Sequence, residues 1–166
     1  LLANAAGVLS LHRLDVLSAD ASTMDGMAVV VLRAKPRFGT PPDAVLLAAD
    51  LRRAVAGELD VAGKLSARDR AYSPTVRDRA APPRVLWLED TATDALVLEL
   101  RSADAPGLLH RVTAALERVG AHVYRARVST MGADVVDAFY VRGVDRPDKR
   151  TACEEAVLAA ATPRTR

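Results

Sequence analysis

Apolar residues recur every three or four positions at Leu1, Leu2, Ala5, Val8 and Leu9, which predicts an amphipathic helix over residues 1–12. The pattern then changes to short apolar runs over 14–23 and 27–34 around Asp25-Gly26, a strong hairpin signal. After a Pro/Gly loop at 35–42, residues 43–59 predict a long helix offering Val45, Leu46, Ala49, Leu51 and Val55 to a sheet. Residues 60–83 are polar, mix Arg with Asp and end in Pro82-Pro83, the composition of an interdomain linker. Strands follow at 84–89 and, after a polar turn at 89–94, at 95–103, where Leu96, Leu98 and Leu100 alternate with Val97, Glu99 and Arg101. Asp104-Ala105-Pro106-Gly107 predicts a sharp turn into a helix over 106–119 that buries Leu109, Val112, Leu116 and Val119 and stops at Gly120. A second hairpin, 122–131 and 135–142 across Gly132-Ala133-Asp134, precedes a closing helix over 146–161.

Residues 1–34 repeat without a gap as residues 108–141, at an offset of 107, with nine positions identical. Leu1-Leu2 falls on Leu108-Leu109, Leu9 on Leu116, Val16 on Val123, and Ser22-Thr23-Met24 on Ser129-Thr130-Met131. Such self-similarity at domain length marks two copies of one folded unit. The order β-α-β-β-α, given twice, predicts an α+β fold of two ferredoxin-like units, each an antiparallel sheet with helices on one face. The expected division is a first unit over 1–59, the linker 60–83, a second unit over 84–161 and a tail over 162–166. The first copy lacks the strand and turn that precede the second, and no initiator Met is present, so the chain reads as a fragment that begins inside a domain. The missing strand leaves the first sheet with an unpaired edge, and strand 84–89 could close the first unit or extend the second.

Bulk composition narrows the function classes. A 50% hydrophobic chain of 166 residues can build one ordinary core or two small ones, and 4% aromatics mean that Leu, Val and Ala build them. The net charge of +2 comes with no basic tract, so it says little about nucleic acid. Arg68, Arg70, Arg77, Arg79 and Arg84 are diluted by Asp69 and Asp78, without aromatic platforms, and read as a solvated linker. One cysteine, Cys153, excludes an internal disulfide framework and fits a reducing cytoplasm, and with no basic neighbour it reads as an inert thiol. No run approaches the ~20 apolar residues of a membrane span, and the N-terminal stretch is unlike a secretory signal. Paired catalytic carboxylates, metal-ligand spacing, G-x-S-x-G and P-loop motifs are all lacking.

The chemistry concentrates in the turn before the second helix. A strand ending at Asp104 and turning through Pro106-Gly107 presents the amides of Gly107, Leu108 and Leu109 at an open helix N-terminus, where the dipole attracts a carboxylate. Gly107 allows close backbone approach. Asp104 is placed to pair with an α-ammonium group, to cap the helix, or to do both. His12 and His110 read as solvated helix positions, and Ser129-Thr130 as strand-end hydrogen bonding.

Strand, Asp104-x-Pro106-Gly107-Leu108-Leu109, helix, Gly120-Ala121-His122-Val123, and the hairpin ending Asp137-Ala138-Phe139-Tyr140-Val141 together resemble an ACT domain, a small amino-acid-sensing module. The Asp137–Val141 ending is similar to the paired C-terminal ACT domains of the protein-PII uridylyltransferase/uridylyl-removing family. The family most often has Arg where Ala105 stands. The resemblance implies a regulatory unit binding a small amino acid, glutamine first, at Ser102, Asp104, Gly107, Leu108, Leu109 and His122, with a partner ACT unit as the other wall. It implies no cofactor in this chain, Mg-dependent catalytic regions upstream, the PII signalling protein as their substrate, and ACT–ACT pairing within or between chains. The single cysteine, the diluted arginine run and the lack of a long apolar run add the expectation of a cytoplasmic protein with neither nucleic acid nor membrane as a partner. The competing expectation is an ACT-type dimerisation module with no ligand of its own.

Overall fold

The computed structural model describes residues 1–71, 81–90, 95–131 and 134–162. Five helices, α1 (Leu2–Leu11), α2 (Ala44–Val55), α3 (Val61–Ala71), α4 (Leu108–Arg118) and α5 (Pro147–Ala161), accompany six strands. The strands are β1 (Leu14–Met24), β2 (Met27–Pro36), β3 (Arg84–Asp90), β4 (Ala95–Ala103), β5 (His122–Met131) and β6 (Asp134–Arg142). All six join one antiparallel sheet in the order β2-β1-β5-β6-β4-β3. The α+β reading therefore holds, with one difference: the two units share a single sheet, spliced where β1 meets β5.

The internal repeat survives into the hydrogen-bond register. In the first hairpin Val16 pairs with Ala34, and an irregularity before Ser18 shifts the register so that Ser18 pairs with Arg33. In the second, Val123 pairs with Val141, and the same shift occurs before Arg125, which pairs with Tyr140. Each of these four positions is carried onto its mate by the offset of 107. The first turn uses Asp25 at φ 51° and Gly26 at φ 76°, both left-handed, as a two-residue I′ hairpin requires. The second turn, residues 132–133, lies outside the described residues, as does most of the 89–94 turn.

β3 pairs antiparallel with β4. It therefore extends the second unit at its edge, the alternative that the sequence left open. The main core lies between the second unit's sheet and α4 and α5, where Leu98, Leu100, Val112, Leu116, Phe139 and Val157 are fully enclosed. Burying each such side chain contributes about 1.5–3 kcal/mol. A smaller cluster joins Val8 of α1, Ala54 of α2, Leu59, and Val61 and Leu65 of α3.

That cluster corrects two expectations. The stretch 60–83 is not simply a linker, because Val61–Ala71 is a helix. The Asp60 carboxylate accepts from the Gly63 amide at 2.8 Å at its first turn, and Val61 and Leu65, one turn apart, are buried. Residues 72–80 lie outside the described residues. In α2, Leu47, Leu51 and Ala54 turn inward with α1 and α3, while Val45, Leu46 and Val55 are exposed rather than facing a sheet. The helix starts where expected, with the Asp43 carboxylate accepting from Val45 and Leu46 at 2.7 and 3.2 Å. Arg68, read as part of a solvated run, donates to the carbonyls of Ser10 and Leu11 in the last turn of α1. Arg77 and Arg79 are outside the described residues. No helix among the described residues is long and apolar enough to cross a membrane.

Candidate functional site

β4 ends at Ala103, and the chain turns through Gly107 at φ 71° into α4. A side chain at Gly107 would be strained at that φ and would also meet Leu65 of α3, whose Cδ1 lies 3.0 Å from a Cβ built there. The unexpected helix thus braces the turn from behind. Within the turn the Leu108 amide donates to the Ala105 carbonyl at 3.0 Å, so of the three amides proposed for anion binding that one is already engaged. No side chain caps α4, so Asp104 does not serve as its cap. Its carboxylate instead lies 3.8 Å from the Arg37 guanidinium.

Arg37 follows β2 of the first unit and also holds Asp15 of β1, with Nη2 and Nε at 2.7 and 2.8 Å from one carboxylate oxygen. A single arginine therefore ties the first unit's Asp15 to the second unit's turn. Between these groups lies an open cleft with a cavity volume of about 60 Å3, lined by residues of α1, β1, β5, β6 and the α4 turn. Its polar lining includes Asp15, Arg37, Asp104, His110 and Asp137, with the Gly107–Leu109 backbone along one side.

Asp137 forms part of that lining from within the fold. It shares the buried side of β6 with Val135, Phe139 and Val141, is 2% exposed, and its Oδ1 has no hydrogen-bond partner among the described residues. Burial, and secondarily the negative charge of Asp104, push its carboxyl up to about 7, against the opposing effect of the Ser129 backbone amide. In the sequence Asp137 stands out only as the start of the family-like ending, not as a site residue. The signal was available: an aspartate in the apolar phase of a strand, at the position where the repeat has Val30.

Asp104, Gly107, Leu108 and Leu109 come together on this cleft, whereas Ser102 and His122 are not among its lining residues. Ser102 is buried and its hydroxyl donates to the Ala103 carbonyl at 3.2 Å. His122 is exposed, opposite Arg142 at the far end of β5. The repeat accounts for this placement: its offset carries Asp15 onto His122, and across the spliced sheet the second unit's turn faces the first unit's Asp15. The histidines also differ from expectation. His110 is buried, with Nδ1 2.7 Å from the Ala3 carbonyl, and His12 pairs with Asp50 at 2.9 Å. Cys153 is buried, and burial raises its thiol pKa. Among the described residues no group of three His, Cys, Asp or Glu side chains is placed to hold a metal ion.

Fold and site together define a two-unit α+β module with a carboxylate-rich cleft where the units meet. Over most of its length this module is homologous to a segment of the bifunctional uridylyltransferase/uridylyl-removing enzymes. It is 44% identical over 86% of the chain to the Streptomyces coelicolor enzyme, of which it spans 18%. It is 37% identical over 95% of the chain to that of Mycobacterium tuberculosis, of which it spans 21%, and 32% identical over 84% to that of Rhodospirillum rubrum, of which it spans 15%. The chain thus spans about a fifth or less of these relatives' length. No family model matches the chain, and no solved structure matches it.

Proposed function

We propose that this chain is an ACT-type effector-binding part of a bifunctional uridylyltransferase/uridylyl-removing enzyme, and that its effector is a small amino acid, glutamine first. The observation that carries this reading is the inter-unit cleft, which sets carboxylates beside a helix-opening turn and an arginine. A zwitterion needs both kinds of partner: carboxylates for its ammonium group, amides or a guanidinium for its carboxylate. A ligand there touches both units, so its binding energy differs between arrangements of the two, the condition for a regulatory effect. In the whole enzyme that coupling would bias attachment of uridylyl groups to the PII protein against their removal. The catalysis would reside in Mg-dependent regions elsewhere in the parent, in the cytoplasm.

Titration calorimetry of the chain with glutamine, and with the other amino acids in turn, tests the reading. Saturable heat with glutamine or a small set of amino acids is expected, and its absence with all of them overturns it. The strand pairing between β1 and β5 favours a second reading, a pairing module without a ligand. That reading predicts an interface indifferent to every amino acid.

A further inference from the structure

Several features go beyond the helix-opening turn: the exposed β2 edge, the enclosed Nε1 of Trp87, the His12–Asp50 pair, the buried Cys153 and the buried Asp137. Only Asp137 combines a cavity, an unpartnered polar atom and an internal comparison.

We propose that Asp137 is the buried acceptor for the ligand's ammonium group, working with Asp104, so that the cleft selects for a primary amine and couples ligand binding to proton release. This rests on the amino-acid-binding reading above and assigns to one residue the specificity of that site.

Three observations support it. First, Asp137 lines the cleft, is 2% exposed, and has an oxygen without a partner among the described residues. A buried carboxyl in that state is costly unless something supplies the missing donor. Second, the fold does not need it. At the equivalent position of the first unit stands Val30, in the same strand of the same hairpin, partly buried against the main core. An apolar residue therefore satisfies the architecture, and the carboxyl costs stability without serving the packing, a trade expected at functional positions. Third, the charges around it are unbalanced. Facing the cleft are Asp104 after β4, Asp15 on β1, Arg37 after β2 and His110 on α4, with the Ser129 amide from β5. Arg37 serves Asp15 and Asp104, while His110 is turned to the Ala3 carbonyl. A ligand cation between Asp104 and Asp137 supplies the charge that the carboxyls lack.

The proton balance follows. Near or below neutral pH the unliganded Asp137 is wholly or partly protonated, because burial and Asp104 raise its pKa. An arriving ammonium group favours the ionised form, so the carboxyl proton leaves to solvent as the N–H donor takes its place on the oxygen. Apparent affinity therefore rises as pH increases from about 5 to 7. An analogue with hydroxyl or oxo in place of the amine brings no cation, and binds about 100-fold more weakly.

The test is calorimetry with glutamine and its 2-hydroxy analogue, on the unaltered chain, Asp137→Asn and Asp137→Val, in buffers of different ionisation enthalpy at pH 6 and 8. The expected result is glutamine heat for the unaltered chain, with proton release at pH 6 that fades by pH 8. Affinity is expected to fall about 30-fold or more in both variants, with proton release lost in both. Valine reproduces the repeat's own Val30, so a folded Asp137→Val protein is expected, checked by circular dichroism and its melting transition. If the unaltered chain binds glutamine and Asp137→Val binds it as tightly, or the hydroxy analogue binds as well as glutamine, the role of Asp137 is overturned and the sensing reading stands. If no amino acid binds the unaltered chain, both fall.

Discussion

Ala19 of β1 and Ala126 of β5 pair directly across the sheet, both fully buried, and they are each other's counterparts in the internal repeat. An antiparallel contact that matches a residue with its own repeat mate marks a local twofold axis. The same axis explains why His110 meets the carbonyl of Ala3, its own mate at a separation of 107. Flanking the dyad, the Asp20 carboxylate accepts from Arg125 at 2.8 Å, joining the units on the half-exposed rim. The pairing of the two units is thus organised by residues small enough to let two strands and the overlying helices approach.

Enlarging the dyad should therefore loosen both units at once. Ala126→Leu adds a branched side chain where no accessible space remains and is expected to cost about 1–3 kcal/mol. Ala19→Leu should cost a similar amount. Because the pair is in contact, the double variant should depart from additivity by 0.5 kcal/mol or more, roughly. Urea titrations of the four proteins measure this, and additive effects would mean that the two alanines are not opposed in solution.

A second close approach lies at Gly7 of α1. A Cβ there would overlap Val61 Cγ1 and lie 2.8 Å from His110 Nδ1. Glycine inside a helix ordinarily costs about 1 kcal/mol relative to alanine. Here the sign should reverse: Gly7→Ala is expected to destabilise by about 1–3 kcal/mol, because α3 and α4 would have to move off α1. A melting temperature at or above that of the unaltered chain would place α3 elsewhere.

Much of this was legible in the chain, and the failures have identifiable causes. Local signals located the hairpins and α4: Asp25-Gly26, the alternation of Leu96, Leu98 and Leu100, and the Pro106-Gly107 turn. What local signals cannot carry is which face meets another unit. His110 is polar on an amphipathic helix and reads as solvated, and only the dyad that sets α4 against α1 buries it. Val45 and Leu46 read as core, but α2 presents Leu47, Leu51 and Ala54 to α1 and α3 instead. The cleft was half legible, since its turn is local while Asp15 and Arg37 arrive from across the splice. α3 was hidden by its many charges, because only Val61 and Leu65 mark its buried side.

The carboxyl of Asp137 gives the protein a pH dependence of predictable sign. Its ordinary value is 3.8, and in the folded chain it is pushed up to about 7, first by burial and then by Asp104. Between those values the folded protein holds a proton that the unfolded chain has released. Stability from this group is therefore full below about pH 4, declines as pH rises, and is lost above about 7. A shift of this size corresponds to roughly 4 kcal/mol at most. Asp137→Val should remove the dependence and raise the melting temperature at pH 8 more than at pH 5. Equal gains at both pH values would show that the carboxyl titrates normally.

Asp104 allows the two causes of that shift to be separated. Its carboxylate raises the Asp137 pKa through repulsion, and is itself partly offset by Arg37 at 3.8 Å. Asp104→Asn keeps the side chain's size but removes the charge, so ionising Asp137 becomes easier and its titration midpoint should move down. It should not return to 3.8, because burial is the larger cause and the asparagine leaves it in place. Arg37→Gln should act in the opposite direction, removing the cation that offsets Asp104 and driving the Asp137 midpoint higher. Carbon-13 NMR of the aspartate carboxyl groups across pH 4 to 9 resolves the midpoint in each variant. A midpoint that is unchanged in Asp104→Asn would mean that the two carboxyls do not share one cleft.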